Sequence, residues 1–198
     1  MGIAIPKILL SIKEGKKMYK SIDLFAGIGG IRLGFDQAFK DDIKTVFVSE
    51  WDEKAVETYK ANFNDVLDVA GDITKVDEKD IPSHDILLAG FPCQAFSLAG
   101  QKRGFEDVRG TLFFDVARII KHHKPKVVFC ENVKNLVNHD RGRTFNVIKG
   151  ILRDLGYTVF YKILNSKNFG VPQNRERIYI VGFRKDMAPE RFIFPEKT

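Results

Sequence analysis

Cysteine is nearly absent: Cys93 and Cys130 are the two thiols in 198 residues. Neither a disulfide framework nor a four-cysteine metal centre can be built from them, and their scarcity fits a reducing compartment. Long apolar runs are also missing, and none approaches the roughly 20 residues needed to cross a bilayer. The N-terminus lacks the charged, apolar and small-residue blocks of a secretory signal. Repeats, heptads and low-complexity tracts do not occur, which excludes fibrous and coiled-coil classes. The expectation is a cytoplasmic protein that binds no membrane and no metal.

What the sequence does hold is enough apolar material for one core, with 44% hydrophobic residues and 17 Phe. Lys and Arg number 32 against 26 Asp and Glu, a formal charge of +6, and this modest excess suits a polyanionic partner. The densest basic run, Arg118, Lys121, Lys124 and Lys126, reads as a solvated helix face.

Strand-like runs at Ser21–Phe25, Thr45–Ser49, Asp85–Phe91 and Lys126–Cys130 alternate with helix-period segments at 31–39, 53–62, 112–122 and 144–155. This alternation predicts an α/β fold with a mostly parallel sheet and helices on both faces, its ligands lying beyond the carboxyl ends of the strands. Two further strands, 159–164 and 177–183, complete the pattern, and that pair can supply an antiparallel edge. Ile5, Ile8, Leu9 and Ile12, with Pro6 ahead of them, predict a short amphipathic N-terminal helix. The expected division is 1–19 for that helix, 20–184 for the catalytic body and 185–198 for a tail.

The first strand runs into Asp23-Leu24-Phe25-Ala26-Gly27-Ile28-Gly29-Gly30, a glycine-rich turn opening a helix. Such a turn brings backbone close to a nucleoside ligand. The dinucleotide fingerprint would need glycine where Arg32 stands, so a nicotinamide or flavin is disfavoured. Glu50, about 20 residues on at the end of the next strand, is placed to accept both ribose hydroxyls. Trp51 follows, and it reads either as a ring stacked on a purine or as a core aromatic. Asp72, before Ile73, reads either as an adenine contact or as a helix cap. Together these positions describe an adenosine pocket, and S-adenosylmethionine suits one with no phosphate-anchoring lysine.

Gly90-Phe91-Pro92-Cys93-Gln94-Ala95-Phe96-Ser97 places a thiol just past a strand end, where a pKa lowered from about 8.5 would make it a nucleophile. Cys130, inside an apolar strand, reads as an inert hydrophobe. The polar, glycine-hinged stretch Gly100–Gly110 suits a loop that closes over substrate. Glu131-Asn132-Val133 carries a candidate proton donor to the same edge. Arg175 and Arg177, entering the last strand, read either as site residues or as surface ion pairs.

These segments, in this order, resemble the DNA cytosine-5 methyltransferases from Ser21 to Phe183. The resemblance implies a Rossmann-like S-adenosylmethionine-dependent fold whose cofactor lies against Phe25, Ala26, Gly27, Ile28, Gly29, Gly30, Glu50, Trp51, Asp72, Ile73 and Pro92. It implies Cys93 attacking C6 of a flipped cytosine in DNA, and Glu131 supporting the proton at N3. Arg175 and Arg177 would then serve the catalytic group, with Phe91, Gln94 and Ser97 at the substrate. A target-recognition module follows the late arginine motif in this family, and no segment here matches one, so a second polypeptide or segment is the expected partner. Gly2–Pro6 and the helix after it resemble the family's last motif, which closes the cofactor pocket, although Ile3 stands where the family has Asn. Two other functions compete with this reading: a non-catalytic accessory domain, and an RNA cytosine-5 methyltransferase.

Overall fold

The computed structural model of the chain describes residues 18–65, 68–92 and 112–197. The expected N-terminal helix, the Gly100–Gly110 stretch and the side chains of Cys93, Gln94 and Ser97 lie outside the described residues.

Strands β1 (Tyr19–Leu24), β2 (Ile43–Ser49), β3 (Ile86–Ala89), β4 (Val127–Val133), β5 (Tyr157–Asn165) and β6 (Glu176–Arg184) form one sheet in the order β2-β1-β3-β4-β6-β5. The first four run parallel, while β6 is antiparallel to both β4 and β5. The antiparallel edge is thus a pair, set by a return loop of ten residues between β5 and β6 that is too short for a crossover helix. Between β2 and β3 an isolated parallel bridge joins Ser49 to Ala70.

Helices α1 (Gly30–Phe39), α2 (Glu53–Asn62), α3 (Leu112–His123) and α4 (Arg143–Asp154) follow the sequence periodicity to within a residue. α4 shows why: Thr144, Phe145, Ile148, Ile151 and Leu152 are its buried residues, one stripe repeating every three or four positions. That stripe and the matching one on α3 cover the sheet face built from Ile22, Leu24, Leu87, Ala89, Val128, Cys130, Ile178 and Ile180. On the other face Phe35 and Phe39 of α1 pack over Ile86, Leu88, Val127 and Phe129. The tail is part of this second layer, because Phe192 sits 5.4 Å from Phe183 and 5.6 Å from Phe160. Each fully buried side chain of this size contributes about 1.5–3 kcal/mol.

The basic run falls on α3 and the turn after it. Arg118 bonds Asp115, Glu78 and the Ile73 carbonyl, and Lys126 pairs with Asp85 at 3.2 Å, so two of the four charges hold neighbouring segments together. No helix among the described residues is long and apolar enough to cross a membrane.

At the opposite end of the sheet from the strand termini that matter below, His84 is buried with Nδ1 2.9 Å from the Pro82 carbonyl and its ring against His123. Burial pushes its pKa down to about 4 from 6.5. The unfolded chain therefore binds this proton first, and His84 lowers stability as pH falls from 6.5 towards 4, by about 3 kcal/mol at most. Urea titrations at pH 7 and pH 5 should show a smaller drop in midpoint for His84→Leu than for the parent chain.

Candidate active site

The chain leaves β1 toward β2 on one side and toward β3 on the other, so a crevice opens where the ends of β1 and β3 diverge. The glycine turn lies there. Phe25 and Gly27 adopt φ of 54° and Gly29 of 86°, which folds the backbone back over α2. At Gly29 any Cβ would collide with the ring of Phe63, so no other residue fits. Ala26 N–H donates to Ser49 O at 3.1 Å and Gly29 N–H to Ala26 O at 2.9 Å, fastening the turn to β2.

Glu50 accepts three backbone N–H groups: Gly27 at 2.7 Å, Trp51 at 2.9 Å and Asp52 at 2.9 Å. Its carboxylate therefore braces the turn, and one of its about four lone pairs is left, on Oε2, for a ligand hydroxyl. Trp51 is 81% exposed, which removes the core alternative and leaves an open aromatic face beside Glu50. Asp72 takes the cap geometry, accepting from Thr74 N at 3.0 Å and Thr74 Oγ1 at 2.7 Å. Those bonds hold its carboxyl below the usual range. The Ile73 side chain points away from the crevice into the core, because its apolar surface is buried there under α3.

A cavity of about 710 Å³ runs from the turn to the far side of the sheet edge. Phe25, Ala26, Ile28 and Phe63 line one end, and Glu131, Arg175, Phe169 and Tyr179 the other. Glu131 and Arg175 are the only charged residues among its described walls.

Glu131 lies inside β4, which extends to Val133, and pairs across the sheet with Tyr179 of β6. Arg177 Nε stands 3.0 Å from its Oε1 and Arg175 Nη2 3.7 Å. Burial raises the Glu131 pKa and outweighs both guanidinium groups, which pull it down. Arg177 is largely buried and holds the carboxylate; Arg175 is half-exposed and reaches into the cavity. Burial sets the surface ion-pair alternative aside for Arg177, while Arg175, half-exposed at 3.7 Å, still fits it. Burial also pushes the Cys130 thiol up to about 12, so it is inert at neutral pH.

Several positioning residues carried no sequence signal. Asn132 donates from Nδ2 to Phe91 O at 2.8 Å and accepts from Val133 N at 2.8 Å, fixing the backbone just before Cys93. Phe91 is 2% exposed and packs on Phe113, so its side chain serves the core and its carbonyl serves Asn132; Pro92 is exposed at the edge. Asn165 Oδ1 accepts from Arg175 N at 3.1 Å, and Lys134 ties the loop after β4 to Glu176. Only the fold pairs these residues, which lie up to 42 positions apart.

A profile of the C-5 cytosine-specific DNA methylases matches residues 19–198. The chain belongs to that family. It is 62% identical over 179 residues to the type II methyltransferase M.SsoII of Shigella sonnei, covering 89% of this chain and 46% of that protein. To M.HhaI of Haemophilus parahaemolyticus it is 53% identical over 175 residues, or 88% of this chain and 52% of that protein. The chain thus spans about half the length of the curated relatives it matches. Among solved structures, the Dnmt2 methyltransferase of S. pombe superposes with a TM-score of 0.69 at 22% identity, over 84% of this chain and 51% of that one. That likeness supports the S-adenosylmethionine-dependent methyltransferase fold for this C-5 methylase domain.

Replacing Asn132 by Ala leaves the Phe91 carbonyl and the Val133 N–H unpaired inside the domain, at about 1–3 kcal/mol each. Calorimetry should show a melting temperature lower by about 5 °C or more, and Asn132→Asp should be worse at pH 8 than at pH 5, since a carboxylate then faces the carbonyl.

Proposed function

We propose that this chain is the catalytic half of a DNA cytosine-5 methyltransferase of the restriction-modification kind. It would work with a target-recognition segment carried in the same polypeptide or a second one. The observation that carries the reading is one cavity joining the glycine turn to Glu131 and Arg175. Membership of the C-5 methylase family supports it.

S-adenosylmethionine fits the near end. The glycine turn and Ile28 offer close backbone and apolar contact, and beside the cavity's lining Glu50 keeps a lone pair for a ribose hydroxyl and Trp51 presents a ring for the adenine. No lysine lines the described walls, which suits a nucleoside without phosphates. Pro92, beside the thiol, would border the methyl-bearing sulfur. When bound, this cofactor supplies an electrophilic methyl group.

The protein's own residues would do the rest on a cytosine flipped out of the duplex. Cys93 adds as thiolate to C6, and the electron pair displaced from the C5–C6 bond makes C5 nucleophilic. Glu131, with its pKa raised by burial, holds the proton at N3 and so spares the ring a full negative charge. Arg177 orients that carboxylate, and Arg175 takes the pyrimidine oxygen or an adjoining phosphate. Once C5 carries the methyl group, loss of its proton to a base and expulsion of the Cys93 thiolate restore the aromatic ring. Gln94, Ser97 and the stretch after them would meet DNA.

The test is covalent trapping with mixed-sequence DNA containing 5-fluorocytosine, whose fluorine blocks the last elimination, beside an RNA of the same sequence. A mass increase equal to the DNA strand plus one methyl group, lost in Cys93→Ser, is the expected result. Trapping on RNA alone would move the substrate to RNA, and no adduct with either polymer would mean that this half does not engage nucleic acid unaided and would move the search to a complementing recognition segment. In the same assay Glu131→Gln should slow adduct formation by about 100-fold or more.

A further inference from the structure

Arg32 is the residue that breaks the dinucleotide fingerprint, and none of the chemistry above uses it. It is nonetheless only 3% exposed. From the first turn of α1 its guanidinium forms two bonds to Asp65, at 2.6 and 2.7 Å, just beyond the end of α2. Nε bonds Asp36 at 3.1 Å, and Nη1 lies 3.4 Å from the Tyr59 hydroxyl, which itself donates to the buried Asp23 at 3.2 Å. The flat face of the guanidinium rests 4.1 Å from the centroid of Phe63. Phe63 is the ring that the glycine turn presses against, and it lines the cavity.

We propose that Arg32 is a positioning residue for cofactor binding: clamped by Asp65, it sets the Phe63 ring against Gly29 and so holds the glycine turn in its binding shape. The proposal rests on the reading that this turn holds the cofactor.

The geometry makes the role specific to arginine. Nη2 alone meets both Asp65 oxygens, while Nε reaches Asp36, Nη1 reaches Tyr59 and the plane stacks on a ring at the same time, so all three nitrogens are used in fixed directions. A lysine keeps the charge but has neither the fork nor the plane. The same residue connects three elements that meet under the turn: α1 through its own backbone, α2 through Tyr59 and Phe63, and β1 through the Tyr59–Asp23 bond. A dinucleotide site keeps glycine at this position so that helix and strand can approach closely. Here the space is filled by a charged group that fastens α1 to the end of α2.

The clamp is tested on the full chain, free of ligand and with S-adenosylhomocysteine. Hydrogen exchange of the Ala26, Gly27 and Gly29 amides, each hydrogen-bonded in the turn, is followed in Arg32→Lys and Asp65→Asn. The comparison is a core variant on the opposite sheet face, Ile148→Val or Ile148→Ala, whichever matches their loss of melting temperature. Trp51, the single tryptophan, reports S-adenosylhomocysteine binding by fluorescence.

The expected result is exchange of those amides about tenfold faster than in the matched control, with a dissociation constant raised about tenfold. The double variant should add little to either single one. Turn amides that exchange no faster than in the control would overturn the proposal, whatever the affinity does. If the parent chain fails to bind S-adenosylhomocysteine, the cofactor reading falls, and the exchange comparison still decides whether Arg32 positions the turn.

Discussion

Parallel pairing of β1 with β2 on one side and β3 on the other is the interaction on which the site depends. Because the chain crosses from one flank of β1 to the other, no crossover covers the ends of β1 and β3, and the gap they leave becomes the crevice. Backbone from β1 must turn sharply there to start α1, and that requirement accounts for the left-handed residues at Phe25, Gly27 and Gly29. The same edge receives the end of β4 and, through antiparallel pairing, the start of β6. Register brings Val133 opposite Arg177 and Glu131 opposite Tyr179, so residues 44 and 48 positions apart meet where the crevice ends.

Charge at this edge is governed by burial as much as by pairing. Glu131 faces two arginines and still has a raised pKa, since loss of solvent costs its anion more than two partly exposed guanidinium groups return. Asp23 shows the effect undiluted: it is fully buried under the glycine turn with one hydroxyl donor, and burial lifts its pKa to about 8. Two carboxyl groups near one cavity are thus biased toward their protonated forms, while Glu50, bonded to three amides, serves as a brace.

Much of this was legible in the chain itself. Helix boundaries at 53–62 and, to within a residue, 112–122 followed from apolar spacing, and the glycine turn, Glu50 and the Glu131 and Arg175–Arg177 segments stood out because chemistry needs those residue types at strand ends. Ambiguous readings were those in which one residue type serves two purposes. Asp72 could cap or bind, and Thr74 bonds its Oδ1 in the cap geometry without occupying Oδ2; Trp51 could pack or stack, and exposure left it free to stack. Tyr59, Asp65 and Asn165 had no local signature, and Arg32 and Asn132, though they stood within motifs, were given no role there, because the partners that define those roles lie far away in sequence. The tail read as a mere ending, and aromatic contacts of Phe192 made it part of a sheet face.

By itself, then, the sequence determined the alternation of strands and helices, the edge where chemistry gathers and the residue types delivered there, since each depends on periodicity or on a few adjacent positions. Tertiary structure alone decided which side chains face the cavity, which brace it and which charges are shared. Those outcomes turn on strand register, on packing and on the withdrawal of water from groups that are distant along the chain.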